Sequence, residues 1–70
     1  MNFSKMLDLL KLNNGNYTRK GWNGRGQFIA IQMPTDEEML PYIYFITPSG
    51  SRVPWVASQT DLLSSDWVRA

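Results

Sequence analysis

The strongest strand signal in the chain is Tyr42-Ile43-Tyr44-Phe45-Ile46, a run of β-branched and aromatic residues. It is followed by Thr47-Pro48-Ser49-Gly50, where proline and glycine are typical of a turn, and then by Arg52-Val53-Pro54-Trp55. This stretch predicts a β-hairpin. Because successive side chains of a strand point to opposite faces, the two tyrosines should share one face of the sheet and the phenylalanine the other.

Upstream of the hairpin, the pattern predicts one helix and two further strands. Apolar residues recur at helical spacing from Phe3 to Leu10, with Asn2 available as the N-cap and Asn13-Asn14-Gly15 as the stop. We therefore expect an amphipathic helix over residues 3–13. The two predicted strands cover residues 17–19 and 28–32.

The connection before the hairpin is polar. Residues 34–40 contain a proline, a threonine and three acids, and we expect a loop with room for a single helical turn capped by Thr35 and Glu38.

The region after the hairpin predicts two short elements. Ser58 is expected to cap a short helix over residues 59–63, and residues 66–68 are expected to form a last strand. The predicted fold is α+β: a small antiparallel sheet with an N-terminal amphipathic helix and a short C-terminal helical turn. We expect residues 1–70 to form a single domain.

Composition narrows the range of functions. The chain has 70 residues, 43% of them hydrophobic, and contains neither cysteine nor histidine. Neither a disulfide nor the usual structural zinc can reinforce so small a core, which leaves oligomerisation as the common remaining device. The same absence excludes Ser-His and Cys-His nucleophiles, so we expect neither an enzyme nor a protein that depends on a cofactor or metal.

Charge and hydropathy limit the partners. A formal net charge of +1 is a small excess for a protein that coats duplex nucleic acid. The sequence has no apolar run near the ~20 residues that span a bilayer, and its start has no apolar signal-peptide core. We expect a cytoplasmic protein that binds neither membranes nor duplex nucleic acid.

Two segments concentrate groups that suit a nucleotide, the first being residues 19–26. Trp22 either stacks on an adenine or ribose or plugs a sheet edge or subunit interface. Asn23 either hydrogen-bonds a hydroxyl or base edge or forms a hairpin turn with the following glycine. Arg25, with glycine on both sides, is the cation that we favour for a pyrophosphate, although any one of the segment's basic residues can instead be a hydrated surface cation. Phe28 is either a second wall of the pocket or part of the core or an interface.

The second segment, residues 54–61, ends a strand and opens a helical turn. The hydroxyl, amide and N-terminal N–H groups around Ser58 and Gln59 suit ribose hydroxyls or phosphate. Asp61 either accepts from a ribose hydroxyl or adenine amino group, or complements the helix dipole from the first turn. Further along, Asp66 is expected to pair with a basic residue.

The same segments carry a family resemblance that covers nearly the whole chain. Met1-Asn2-Phe3 before the amphipathic stretch, residues 19–26, residues 53–63 and Asp66-Trp67 together resemble the phage-encoded second Thoeris anti-defence family. Members of that family are small proteins that bind cyclic ADP-ribose isomers, the signals of bacterial Thoeris defence, and do not degrade them.

The resemblance implies a function, a ligand and an assembly. It implies a phage protein that sequesters glycocyclic ADP-ribose in the cytoplasm of the infected bacterium, as a homotetramer built as a dimer of dimers. We expect pockets between two protomers. A connection over residues 33–41 that is short beside longer family members, and a neutral turn over residues 47–51, leave the choice of isomer open. The expected ligand-binding residues are Trp22, Asn23, Arg25, Phe28, Trp55, Ser58, Gln59 and Asp61.

Two other functions stay open. The tryptophan and tyrosine content also fits a small protein-interaction module that inhibits a host protein, because these residues are enriched at interface hot spots. Single-stranded nucleic-acid binding on an aromatic surface is less well supported, since the charge excess is so small.

Overall fold

A computed structural model describes residues 1–22 and 25–70 of the chain. Within these two ranges the structure has five strands and two helices, which confirms the predicted α+β class. The elements are α1 (Phe3–Lys11), β1 (Tyr17–Arg19), β2 (Phe28–Gln32), β3 (Tyr42–Ile46), β4 (Arg52–Pro54), α2 (Gln59–Leu63) and β5 (Trp67–Arg69). In these described ranges, neither helix is long and apolar enough to cross a bilayer.

Helix α1 starts as predicted and ends slightly earlier. The side chain of Asn2 accepts a hydrogen bond from the Lys5 N–H (2.9 Å), which confirms the N-cap. At the other end, Asn13 and Gly15 have φ angles of 55° and 101°. Because left-handed residues cannot continue a right-handed helix, α1 ends at Lys11 rather than at residue 13.

The order of the strands in the sheet is β4-β3-β2-β1-β5, and all four pairings are antiparallel. The predicted hairpin is formed by β3 and β4, with β4 ending at Pro54 rather than at Trp55. The last strand, β5, lies beside β1, with Arg19 opposite Trp67. It begins at Trp67, one position later than predicted, so Asp66 lies just before the strand.

The loop before the hairpin has no helical turn capped by Thr35 and Glu38, so that prediction was wrong. Instead, Asp36 Oδ1 accepts hydrogen bonds from the N–H groups of Glu38 (2.9 Å) and Met39 (3.1 Å). A short aspartate side chain that bonds to the backbone just after it favours a tight turn over a helix.

The core lies between α1 and one face of the sheet. Its fully buried members include one methionine and one leucine from α1, and one large side chain from each of the strands β1, β2 and β5. Phe45 packs against this cluster, whereas Tyr42 and Tyr44 lie on the other face, as the alternation predicts. The cluster consists of Met6, Leu10, Tyr17, Ile29 and Trp67.

Candidate functional site

Asp61 is fixed in place at the start of α2. The Ser58 hydroxyl accepts a hydrogen bond from the Asp61 N–H (3.0 Å), and Asp61 Oδ2 accepts one from the Ser58 N–H (3.0 Å). This reciprocal capping box pairs two N–H groups that a helix start leaves without intrahelical partners. The structural alternative for Asp61, an acid in the first turn of a helix, is therefore present, and it gives the carboxylate a defined orientation.

Arg19 joins this carboxylate to a second one. Its Nη1 lies 2.9 Å from Asp61 Oδ1 and its Nε lies 2.8 Å from Asp66 Oδ1. Asp66 Oδ2 also accepts from the Gly21 N–H (2.8 Å). The Arg19 side chain is only 12% exposed, so it is not a hydrated surface cation. The expected pairing of Asp66 with a basic residue is confirmed.

Trp22 lies over the same carboxylate. Its Nε1 donates to Asp61 Oδ1 at 3.3 Å. Its ring makes edge-to-face contacts with Trp67, at a centroid distance of 5.3 Å, and with Phe45, at 5.5 Å. The indole is half-buried, and one hydrogen bond and two aromatic contacts fix its position.

Trp55 packs against Trp67, the buried ring that Trp22 also contacts. It meets Trp67 edge-to-face at a centroid distance of 6.0 Å and stacks on Phe3 at 6.3 Å. Since Trp67 is fully buried, it is a rigid support for both half-buried tryptophans.

Together these side chains form a cleft of about 250 Å³, which we call the aromatic cleft. Its walls are mostly aromatic, and a carboxylate lies among them. Such a cleft can hold a flat ring by stacking and can accept a hydrogen bond from an N–H or O–H group. The lining residues are Trp22, Gln27, Phe45, Trp55 and Asp61.

The carboxylates of the site are ionised at neutral pH. Burial opposes ionisation of Asp61, but hydrogen bonds from Ser58, Arg19 and Trp22 outweigh it and lower the pKa of this group. The hydrogen bond from Arg19 likewise lowers the pKa of Asp66. In turn, hydrogen bonds to Asp66 and Asp61 raise the pKa of the Arg19 guanidinium.

The structure brings three of the eight predicted ligand-binding residues to the aromatic cleft: Trp22, Trp55 and Asp61. Ser58 touches the site through its bonds to Asp61, while Gln59 is exposed and outside the cleft lining. Of the remaining three, Arg25 is exposed and is not part of the cleft lining, Phe28 lines another depression, and Asn23 lies outside the described residues.

The depression at Phe28 has a volume of about 520 Å³. Its lining combines three neutral polar side chains, one of them Gln27, with apolar residues and the cation of Arg19. Phe28 is thus not a second wall of the aromatic cleft. The other lining residues are Asn16, Thr18, Gly26 and Ala70.

Sequence reasoning missed Gln27 and Phe45 as lining residues. Strand alternation places Phe45 on the core face, where it is expected to be buried. In the structure the Phe45 ring contacts Trp22, and both rings line the cleft, which the sequence pattern does not predict. Gln27 is a single polar residue directly before a strand, and no pattern in the sequence marks it. Among the residues that the structure describes, no group of three or more His, Cys, Asp or Glu side chains is placed to hold a metal ion.

The fold and the site define a small α+β protein in which an aromatic cleft lies against a buried, ionised carboxylate. A family model described as the Thoeris anti-defense 2-like domain matches residues 1–69, and the chain belongs to this family. It is also 30% identical, over 82 aligned positions, to Thoeris anti-defense 2 of Bacillus phage SP01, an alignment that covers 96% of this chain and 91% of the phage protein. Family membership supports a phage anti-defence role.

Proposed function

We propose that this chain binds glycocyclic ADP-ribose, a cyclic ADP-ribose-type signal, and sequesters it unchanged in the cytoplasm of the infected cell, so that Thoeris immunity is not triggered. The observation that carries the proposal is the meeting of Trp22, Trp55 and Asp61, from two distant segments, at one cleft. The chain's membership of the Thoeris anti-defence family supports the choice of ligand class.

The affinity that this chemistry offers is sufficient for sequestration. Stacking of a base on an aromatic side chain contributes ~1–3 kcal/mol. A ligand of about 35 heavy atoms, at ~0.3 kcal/mol per atom, reaches roughly −10 kcal/mol, which corresponds to a nanomolar-range dissociation constant. At that affinity a protein in excess depletes a dilute messenger without any catalytic step.

The size of the cleft supports the expected assembly. Pockets that enclose a whole ligand of this size usually have ~300–1,000 Å³, whereas the aromatic cleft of one chain has about 250 Å³. One chain therefore offers less space than a whole ligand of this size needs. We propose that a second protomer covers the rest, in a homotetramer built as a dimer of dimers.

Two exposed apolar surfaces fit the two contacts that a dimer of dimers needs. One includes Val56 (87% exposed), which directly follows the cleft residue Trp55. The other is the outer face of the sheet, which includes Tyr42 (42% exposed). Apolar side chains that lie together at a surface mark contact sites for other molecules.

The test is to add the purified protein to a cell extract that contains the Thoeris signal, remove the protein by filtration, and assay both fractions. We expect the filtrate to lose the signal and heat-denatured protein to release it chemically intact. Recovery of a cleaved product would identify an enzyme instead. A filtrate that keeps its signal would contradict the proposal.

A further inference from the structure

Strand β2 lies in the middle of the sheet, with two strands on each side of it. Its residue Ile29 belongs to the buried core that α1 covers. Because side chains alternate along a strand, Ala30 and Gln32 belong to the outer face, where their partners on β3 are Tyr44 and Tyr42. The outer face is therefore centred on β2.

The loops at the two ends of β2 carry opposite charge. The cationic loop, residues 20–27, leads into the start of β2, and the acidic loop, residues 33–41, follows its end. The charged side chains of both loops are exposed, and none of them is in an ion pair with another described residue. The cations are Lys20 and Arg25, and the acids are Asp36, Glu37 and Glu38.

Two copies that pack through their outer faces on a two-fold axis have two possible arrangements. Sheets packed face to face commonly keep their strand directions within about 30° of each other, so the axis runs either along the strands or across them. An axis along the strands brings each acidic loop to the acidic loop of the other copy. An axis across the strands brings each acidic loop to the cationic loop of the other copy. Like charges at a contact are costly and opposite charges fix the register, so the second arrangement is favoured.

We propose that the outer face binds a second copy of this chain with the two-fold axis across β2, so that the acidic loop of each copy lies against the cationic loop of the other. The inference rests on the assembly given under the proposed function and adds its arrangement. Exposed charges interact over only about 8 Å at physiological ionic strength. The loops therefore select the arrangement by direct contact in the assembled protein.

Charge reversal at one end of β2 tests this arrangement. Glu37→Lys with Glu38→Lys leaves a net positive charge at both ends, and Lys20→Glu with Arg25→Glu leaves a net negative charge at both. Either double variant then places like charges together. We expect analytical ultracentrifugation in 0.15 M NaCl to show a particle of half the mass, with the concentration needed for full assembly raised at least about tenfold.

A variant with all four substitutions exchanges the charges of the two loops and keeps the net charge of the chain. It restores opposite charges at both contacts, so we expect the mass of the unaltered protein. In the alternative arrangement, with the axis along the strands, the unaltered protein already has like charges at both contacts. Neither the loss in the double variants nor the recovery in the fourfold variant is then expected.

The matched control is Lys5→Glu with Lys11→Glu, which changes the net charge by the same amount as Lys20→Glu with Arg25→Glu. Both lysines are exposed on α1, which packs on the core face of the sheet, and this variant should keep the full mass. In 1 M NaCl the screening length falls to about 3 Å, so the double variants should regain part of their assembly. The two double variants are independent, so one of them still decides if the other does not fold.

The outcomes separate the inference from the proposed function. If a folded double variant keeps the full mass, or if the fourfold variant does not recover it, the loops do not meet across the outer face and the inference is overturned. A monomeric unaltered protein overturns both the inference and the proposed assembly. Sequestration of the ligand is decided by the filtration assay alone, and either result there leaves the mass measurements as they are.

Discussion

Arg19 Nη1 lies 2.9 Å from Asp61 Oδ1, and the two side chains are 12% and 10% exposed. The residues are 42 positions apart in the chain, so this ion pair ties strand β1 to helix α2. A buried ion pair contributes little beyond what a well-packed apolar pair would contribute, but the removal of one partner leaves an uncompensated charge. The pair is therefore a sensitive point for stability as well as part of the cleft.

Replacement of this cation should destabilise the protein strongly. In Arg19→Met we expect the free energy of unfolding to fall by about 3 kcal/mol, because Asp61 remains buried without its partner. For a chain of this size that corresponds to a loss of roughly 12–24 °C in melting temperature. The matched control is Lys11→Met, whose ion pair with Asp8 is long (3.9 Å) and exposed, and which should change stability by less than about 0.5 kcal/mol. Equal effects of both variants would contradict the role of the pair.

The two lowered pKa values predict acid sensitivity. A carboxyl group whose pKa is lower in the folded protein than in the unfolded chain stabilises the fold above the unfolded value, about 4, and loses this contribution as the pH falls through the folded value. Asp61 and Asp66 both have this sign. We expect stability to be level from neutral pH to about pH 5 and to fall below about pH 4.

Urea unfolding as a function of pH measures this dependence. A double variant with Asn at positions 61 and 66 should show a shallower fall in stability below pH 4 than Asp36→Asn, whose carboxylate is exposed in a loop. Identical slopes for the two variants would show that other groups control the acid response.

The sequence predicts local elements well here and long-range contacts poorly. Alternation, caps and turn residues are properties of a few neighbouring positions, and they predicted β3, the N-cap at Asn2 and the Ser58 cap of α2. The Arg19–Asp61 pair depends on β5 lying beside β1, which brings the end of the chain next to β1. Such pairings follow from how the whole sheet packs, so the sequence favoured a hydrated surface cation for Arg19, with phosphate binding as the alternative, and did not predict its ion pair with Asp61.

A glycine comparison tests the contact between the first loop and β5. Gly15 and Gly50 both have left-handed φ angles, 101° and 88°. A Cβ at Gly50 meets nothing within 4 Å, whereas at Gly15 it would lie 2.5 Å from Arg69 Nε. Arg69 is exposed and can move, but its Nη2 donates to the main-chain and side-chain oxygens of Asn14, and a shift of this side chain breaks these hydrogen bonds.

Gly50→Ala should therefore cost about 1 kcal/mol, the usual penalty for a left-handed alanine. We expect Gly15→Ala to cost at least ~1 kcal/mol more, since it also displaces these hydrogen bonds. Thermal denaturation of both variants measures this difference in stability. Equal melting temperatures would mean that Arg69 moves aside without a measurable loss of stability.

The proposed assembly predicts that a charge on the outer face of the sheet breaks one interface. Tyr42→Glu places a carboxylate where an apolar contact is proposed, and we expect light scattering to show a particle of half the mass with unchanged secondary structure. Leu12→Glu is the control, because Leu12 is 75% exposed just after α1 and belongs to neither proposed contact. A monomer in the unaltered protein, or the same mass for both variants, would contradict this interface.

The last prediction separates the binding role of Trp55 from its packing role. Trp55→Ala removes one wall of the aromatic cleft, and loss of ~1–3 kcal/mol of stacking raises the dissociation constant for glycocyclic ADP-ribose by about 5- to 150-fold. Phe3→Leu is the matched control, because Phe3 packs on both Trp55 and Trp67 but is not part of the cleft lining. Both variants should lower the melting temperature, since both lose aromatic packing. Only Trp55→Ala should weaken binding strongly in calorimetry at a temperature where both proteins are folded. Equal losses of affinity would mean that Trp55 acts through the stability of the fold, and that the ligand stacks elsewhere.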